Sequence, residues 1–298
     1  MAPTAKKTAS PEGRARKAAL PALLKGWAGA THPFPLAIVV ALTALVGFAS
    51  ADGEPDGARM ALLLTAMALS QAAIGWSNDY VDRERDRLSQ PWKPVAAGLV
   101  QARHLPPAIG VALVGSGVAG ASLGAWPLAL LAAGTAAGFA YNFGVKDTPL
   151  SAAPYVVALA ALPLFVWSSL GVFREELLLL YPVAFPLAVA AHAANVLPDM
   201  EADRGSGRRG LAVALGRRGT LMLLGVCLVA PLASLAASSR FVEYGQATLL
   251  PSVAGYCGAC AVAGFLYAFG RGRDAGVWAF RLLAMASAVF AAGWLASV

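Results

Sequence analysis

The feature that most constrains this chain is a succession of long apolar runs joined by short connections. Nine runs, at roughly 35–51, 58–78, 104–122, 126–143, 152–171, 176–197, 220–238, 247–269 and 277–297, approach the ~20 mostly apolar residues an α-helix needs to cross hydrocarbon. No connection between them is long enough to hold a soluble domain. In lipid, only helices and closed barrels satisfy every backbone polar group internally, and runs of this length select helices. The sequence therefore reads as an all-α membrane protein, with nine transmembrane helices in residues 25–298. A flexible basic tail over residues 1–24 carries Lys6, Lys7, Arg14, Arg16 and Lys17.

Charge sets the orientation. With the N-terminus in the cytoplasm, 20 of the 23 basic residues fall on the inner side, and only Arg59, Arg174 and Arg240 fall outside. The net charge of +7 is thus a matter of topology, which excludes a nucleic-acid partner. The chain is 58% hydrophobic and 13% charged, with mean hydropathy +0.64. Soluble domains have about 45–50% and about 25%, so a disordered chain or an ordinary cytosolic enzyme is also excluded. Cys257 and Cys260 form a C-x-x-C inside an apolar run, where packing by small residues is the plainer reading than redox or metal chemistry. Ala49-Ser50-Ala51 resembles a signal-cleavage site, but the segment before the first run is too long for a signal peptide. The expected location is a cell membrane, multi-pass, and the Arg- and Ala-rich usage points to a bacterial inner membrane.

Seven of the 16 acidic residues fall in two short clusters, each at the cytoplasmic end of an apolar run. The first spans Asn78 to Asp86 and the second Asn195 to Asp203. Asn78, Asp82 and Asp86 are four apart, as are Asn195, Asp199 and Asp203, so each set shares a face if its helix continues. Either cluster alone reads equally well as a solvated helix end. Two facing rows of carboxylates are hard to keep ionised without cations, and hard oxygen donors suit magnesium, which binds through carboxylates and substrate phosphates. Arg83, Arg85, Arg87 and Lys93 follow the first cluster, and Arg204, Arg208 and Arg209 the second, as phosphate-binding groups would. Acids for metal, bases for phosphate and an apolar bundle together describe a site for a lipid diphosphate.

These residues resemble the motifs of the UbiA superfamily of membrane-embedded prenyltransferases. Asn78, Asp79, Asp82 and Asp86 match its N-D-x-x-D-x-x-x-D, and Lys93-Pro94-Val95-Ala96-Ala97-Gly98 its basic-Pro-x-x-x-Gly continuation. Asp199 and Asp203 match its D-x-x-x-D, and Tyr141-Asn142-Phe143-Gly144-Val145-Lys146 its segment after the fourth helix. The resemblance runs from about residue 25 to the C-terminus. It implies nine helices around a central cavity whose mouth faces the cytoplasm. It further implies Mg2+-dependent ionisation of a prenyl diphosphate, with Asp82, Asp199 and Asp203 catalytic and Asn78, Asp82, Asp86, Asp199 and Asp203 holding metal. Lys93, Lys146, Arg204 and Arg208 would hold the leaving diphosphate, where fixed cations stabilise developing negative charge. The prenyl or acceptor pocket would draw on Trp76, Tyr80, Tyr141, Asn142, His192 and Asn195, with Trp167 a further aromatic candidate for cation–π contact. Each of these aromatics reads equally as a packing or interface anchor.

The implied function is transfer of the prenyl group to an apolar acceptor, expected to be aromatic or a quinone precursor. A glycerol ether lipid or a porphyrin-like ring also fits. A terpene cyclase acting on the diphosphate alone is the alternative, since the metal motifs would be the same. A transporter fits less well, because transporters place charged sites near the midplane. Relatives that use aromatic carboxylates tend to carry Arg-Pro at the start of the first helix, whereas this chain has His32-Pro33. No protein partner is legible. Asp82→Ala and Asp199→Ala are each expected to abolish turnover in a folded protein.

Overall fold

The computed structural model describes residues 11–51 and 53–298, with side chains from Leu20 on. It is entirely helical, with no strand among the described residues. In chain order the helices are α1 (Pro11–Ala30), α2 (Pro33–Ser50), α3 (Gly57–Ser89), α4 (Leu105–Leu123), α5 (Ala125–Asn142) and α6 (Ala153–Leu170). There follow α7 (Tyr181–Val196), the short α8 (Met200–Gly205), α9 (Leu211–Ser238), α10 (Gln246–Phe269) and α11 (Gly272–Leu295). Helix pairs α3–α4, α5–α6, α7–α9 and α10–α11 pack most extensively, and α11 returns to α2, closing the bundle into a ring.

Among the described residues, eight helical segments are long and apolar enough to cross a membrane. The remaining expected run, 126–143, forms α5, whose Thr135, Tyr141 and Asn142 make it less apolar. These polar groups are used internally: Thr135 Oγ1 lies 2.7 Å from Ser70 Oγ on α3, and Asn142 is buried. Between apolar helices in lipid, packing and hydrogen bonds rather than water exclusion drive association. Val111, Val114 and Val118 on α4 and Met222, Val226 and Val229 on α9 lie exposed at helical spacing, as lipid-facing rows do. Of the segment read as a tail, residues 1–10 lie outside the described residues, and the chain is helical from Pro11. The end of α1 docks on the loop after α3 through Trp27, whose ring meets Trp76 edge-on at 5.4 Å.

The end of the bundle remote from the acidic clusters is fastened by Arg59, one of the three arginines assigned to the outer side. Its Nε donates to Ser169 O at 2.5 Å and its Nη2 to Leu123 O at 3.0 Å. It thereby satisfies carbonyls at the C-terminal ends of α4 and α6 that have no intrahelical partner. Trp167 lies at this same end, fully buried, and donates Nε1–H to Ser50 Oγ at 2.8 Å. It is a core anchor far along α6 from the acids, so its candidate role at a carbocation is set aside. Cys227, Cys257 and Cys260 are all free.

Candidate active site

The site begins where α3 outlasts the apolar segment. Its last three turns carry Asp79, Asp82 and Asp86, all buried, on one face of an unbroken helix. Buried carboxylates demand partners, and three separate loops supply them. Lys146 Nζ donates to Asp82 Oδ2 at 2.6 Å. Arg208 Nη2 donates to Asp82 Oδ1 at 3.1 Å, with Arg85 Nη1 at 3.4 Å from the same oxygen. Lys93 Nζ donates to Asp86 Oδ2 at 2.8 Å and lies 4.0 Å from Asp79 Oδ1.

The loop positions of these cations follow from local geometry. Lys146 stands in a single 3-10 turn after α5, and that turn is pressed against Gly210 before α9. A Cβ on Gly210 would lie 2.8 Å from Lys146 O, so only glycine allows the two loops to meet this closely. Ser151 ties them further by accepting from Leu211 N at 3.0 Å. Lys146 and Arg208 are thereby held together over Asp82. Burial pulls the Lys146 ammonium below the usual lysine range, with Asp82 opposing. For Arg208 burial also works against the charge, but Asp82, Asp203 and Asp147 outweigh it and raise its pKa.

The second acidic cluster has a different local structure. Helix α7 ends at Val196, Leu197–Asp199 form a 3-10 turn, and α8 starts at Met200. Pro198 lies in this break and has no N–H to donate to an α-helical ladder, although α7 accommodates Pro186 without breaking. Asn195, Asp199 and Asp203 therefore do not share one continuous helical face, contrary to the expectation from their spacing. Asp203 turns toward the first cluster, with Oδ1 3.5 Å from Arg208 Nε. Asp199 turns toward α11, where Arg273 grips it with Nε–Oδ1 at 2.5 Å and Nη2–Oδ2 at 3.1 Å. A cavity of about 520 Å³ opens beside this pair, lined by Gln90, Trp92, Pro198, Asp199, Arg217 and Arg273.

Among the described residues, no three His, Cys, Asp or Glu side chains converge as a ready metal cage. The donor chemistry nonetheless fits a hard divalent cation: Asp82 and Asp203 share Arg208, Asp86 lies on the same α3 face as Asp82, and one buried oxygen, Asp79 Oδ2, has no partner among the described residues. Asn78 is turned elsewhere and donates Nδ2–H to Asn142 Oδ1 at 3.0 Å. Asn142 in turn donates to Ile74 O at 2.9 Å and Ser77 Oγ at 2.7 Å, fastening α5 to α3. Arg204 is exposed.

The expected pocket residues separate into two groups. Tyr141 and His192 lie together, with Tyr155 between them: ring centroids are 5.5 Å (Tyr141–Tyr155), 6.0 Å (Tyr141–His192) and 5.0 Å (Tyr155–His192). Asn195 donates to Tyr155 OH at 3.0 Å, and His192 Nε2 is 3.0 Å from Ser151 Oγ. Trp76 and Tyr80 instead pack with Val95, Val100 and Leu105 under the first loop, and Arg83 covers the Tyr80 ring at 4.6 Å. These two belong to the loop's packing, not to the Tyr141 group. Sequence reading missed Tyr155, Ser151, Asp147 and Arg273. Their common signal is proximity to a loop–helix junction, which is weak before the loops are folded.

The site is thus a cluster of carboxylates and cations at one end of an all-α bundle of apolar helices. A family model for the UbiA prenyltransferase family matches residues 37–288. The chain belongs to that family and is an intramembrane prenyltransferase. It is 29% identical over 206 residues to a digeranylgeranylglyceryl phosphate synthase of Thermococcus gammatolerans, covering 65% of this chain and 71% of that one. A protein of the same name from Natronomonas pharaonis is 28% identical over 192 residues, covering 63% and 69%. Among solved structures, a UbiA homologue from Archaeoglobus fulgidus bound to GPP and Mg2+ superposes with TM-score 0.73 at 19% identity, over 92% of this chain and 100% of that one. At that identity the likeness shows the fold. These curated relatives are archaeal, whereas the Arg- and Ala-rich composition points to a bacterial membrane.

Proposed function

We propose that this chain transfers a prenyl group from a prenyl diphosphate to the hydroxyl of an apolar acceptor, with the acids and bases around Asp82 as the ionisation site. The observation that carries this is the convergence of Lys146 and Arg208, from two loops distant in sequence, on one buried carboxylate beside Lys93–Asp86. Asn78, Asp82, Asp86, Asp199 and Asp203 would hold Mg2+, Asn78 only on leaving Asn142, and the ion would supply positive charge at the leaving diphosphate. Lys93, Lys146, Arg204 and Arg208 hold the diphosphate oxygens, with Lys93, Lys146 and Arg208 exchanging their present carboxylate partners for phosphate. The apolar bundle excludes water from the allylic carbon, whose developing positive charge faces the Tyr141–Tyr155 group. The proposed orientation puts the site mouth on the cytoplasmic side, a reading supported by the excess of basic residues in the loops at that end.

The names of the two curated relatives favour a glyceryl phosphate lipid over an aromatic acceptor. A product of that name forms chemically when a geranylgeranyl group joins a geranylgeranylglyceryl phosphate. His32-Pro33, in place of an arginine that would grip an aromatic carboxylate, supports the same choice. The test is purified protein in detergent with Mg2+, geranylgeranyl diphosphate and geranylgeranylglyceryl phosphate, extracted for mass spectrometry. A doubly prenylated glyceryl phosphate is expected only when both substrates and Mg2+ are present. A cyclic terpene formed from the diphosphate alone would replace transferase with cyclase.

A further inference from the structure

The cations over Asp82 reach it from two loops, and both loops are rooted on one buried hydroxyl. Lys146 and Asp147 stand in the turn between α5 and α6, and Asp147 Oδ1 lies 3.3 Å from Arg208 Nε. Ser151 closes this segment, its N–H donating to Thr148 O at 3.1 Å. Arg208 stands just before α9, whose first residue is Leu211. The N–H of Leu211 is one of the four helix-start donors with no intrahelical partner. Gly210, at the capping position, has no side chain to satisfy it, and Lys146 O leaves no room for one. Ser151 Oγ supplies the missing acceptor from a different part of the chain, at 3.0 Å.

The hydroxyl is itself held in place. His192 Nε2 on α7 lies 3.0 Å from Ser151 Oγ, and both residues are 1% exposed. One turn further on, Asn195 donates to Tyr155 OH at 3.0 Å. Ser151 and Tyr155 are four apart and His192 and Asn195 three apart, so the two contacts form successive rungs between α7 and the chain entering α6. Beyond the rungs, α7 leads through the break at Leu197–Asp199 to Asp203, 3.5 Å from Arg208 Nε. The segments that carry Lys146, Arg208 and Asp203 thus share one point of attachment.

Packing alone does not call for a histidine at this point. The ring contacts with Tyr141 and Tyr155 need only an aromatic ring. His192 Nδ1 is buried with no partner among the described residues, an unfavourable atom that phenylalanine would not bring. What the histidine adds is the contact from Nε2 to Ser151.

We propose that His192 is a positioning residue for the diphosphate. Through Ser151 it fixes where the Lys146 and Arg208 loops stand relative to each other, and so how well two linked phosphates fit between their cations. Misplacement of a binding group by about 1 Å can cost as much as about 100-fold. His192 acts through Ser151 and touches no substrate in this role. The proposal rests on the reading of Lys146 and Arg208 as diphosphate ligands.

His192→Phe keeps the aromatic packing and removes both nitrogens. Its Kd for inorganic diphosphate with Mg2+, read by thermal-shift titration in detergent, should rise about tenfold, as should its KM for geranylgeranyl diphosphate. Its kcat, and its KM for geranylgeranylglyceryl phosphate, should stay within about threefold of wild type. Ser151→Ala should reproduce these shifts from the other end of the contact. His192→Gln brings an amide that can donate to or accept from Ser151 Oγ, and should return the diphosphate Kd to within about threefold of wild type. A residue that only supported folding would change the fraction of active protein, and hence kcat, without moving the Kd. A Kd shift below about threefold in either folded variant, His192→Phe or Ser151→Ala, overturns the positioning role. Binding by His192→Gln as weak as that of His192→Phe overturns it too. Lys146→Met tests the reading beneath: an unchanged diphosphate Kd there contradicts the site itself and removes the proposal with it.

Discussion

The two acidic clusters share a spacing and differ in nearly everything else. In the first, Asp79, Asp82 and Asp86 project from an unbroken α3 into the protein, and their charges are matched by buried or half-buried cations. In the second, the helix breaks at Leu197–Asp199, one aspartate turns inward to Arg208, and the other turns outward to Arg273. Spacing by four aligns side chains only while the ladder of backbone hydrogen bonds continues. The first cluster is part of the protein's framework. The second is a partly solvated latch whose carboxylates are easier to redirect toward a ligand.

The largest expected effect tests the framework side. Asp82→Ala leaves Lys146 buried without its counter-charge, and such truncations cost about 3–5 kcal/mol. Thermal unfolding in detergent should show a clear loss of stability along with the loss of turnover. The variant is then not the neutral probe of chemistry that the sequence alone implied, and Asp82→Asn is the better choice for kinetics. A fully stable Asp82→Ala would dissolve the distinction between the clusters.

Gly75→Ala comes next. The new methyl meets the Thr31 backbone rather than a flexible side chain, and overpacking of this kind costs about 1–3 kcal/mol. The same unfolding measurement reads it, and a loss below about 0.5 kcal/mol would mean that the Thr31 backbone is not packed tightly against α3.

Asp199→Ala should be the mildest for stability. Both partners of the Asp199–Arg273 pair are partly exposed, and such pairs contribute about 0–1 kcal/mol. Its turnover should nonetheless fall by at least about 100-fold if Asp199 holds metal, giving a folded but inactive protein. In Arg273→Ala, Asp199 is released from its latch, and the Mg2+ concentration for half-maximal turnover should drop. An unchanged or higher Mg2+ requirement would show that Arg273 does not compete with metal for Asp199.

How much of this was legible beforehand follows from the same contrast. The α3 row was readable because its residues lie on one helix, and the apolar runs marked the spans because length and composition suffice for that. Helix phase also held a signal that spacing alone concealed. Tyr80 lies about 160° around the helix from Asp82, so an aromatic next to the acids in sequence faces the far side in space. The break before α8 was foreshadowed by Pro198. The pairing of His32 with Asp79 crosses 47 positions, and Arg273 reaches Asp199 across 74. Such contacts depend on how α2 and α11 close the ring, which no local pattern reports.

The most direct test of the central assignment is release of inorganic diphosphate from geranylgeranyl diphosphate in the presence of geranylgeranylglyceryl phosphate, measured against Mg2+ concentration for wild type and Asp82→Asn. Wild-type release should depend on Mg2+, and Asp82→Asn should lose at least about 100-fold in kcat while remaining folded, as expected when a carboxylate central to leaving-group stabilisation is removed. Release by Asp82→Asn within a few-fold of wild type, at the same Mg2+ requirement, would contradict the placement of the chemistry at this cluster.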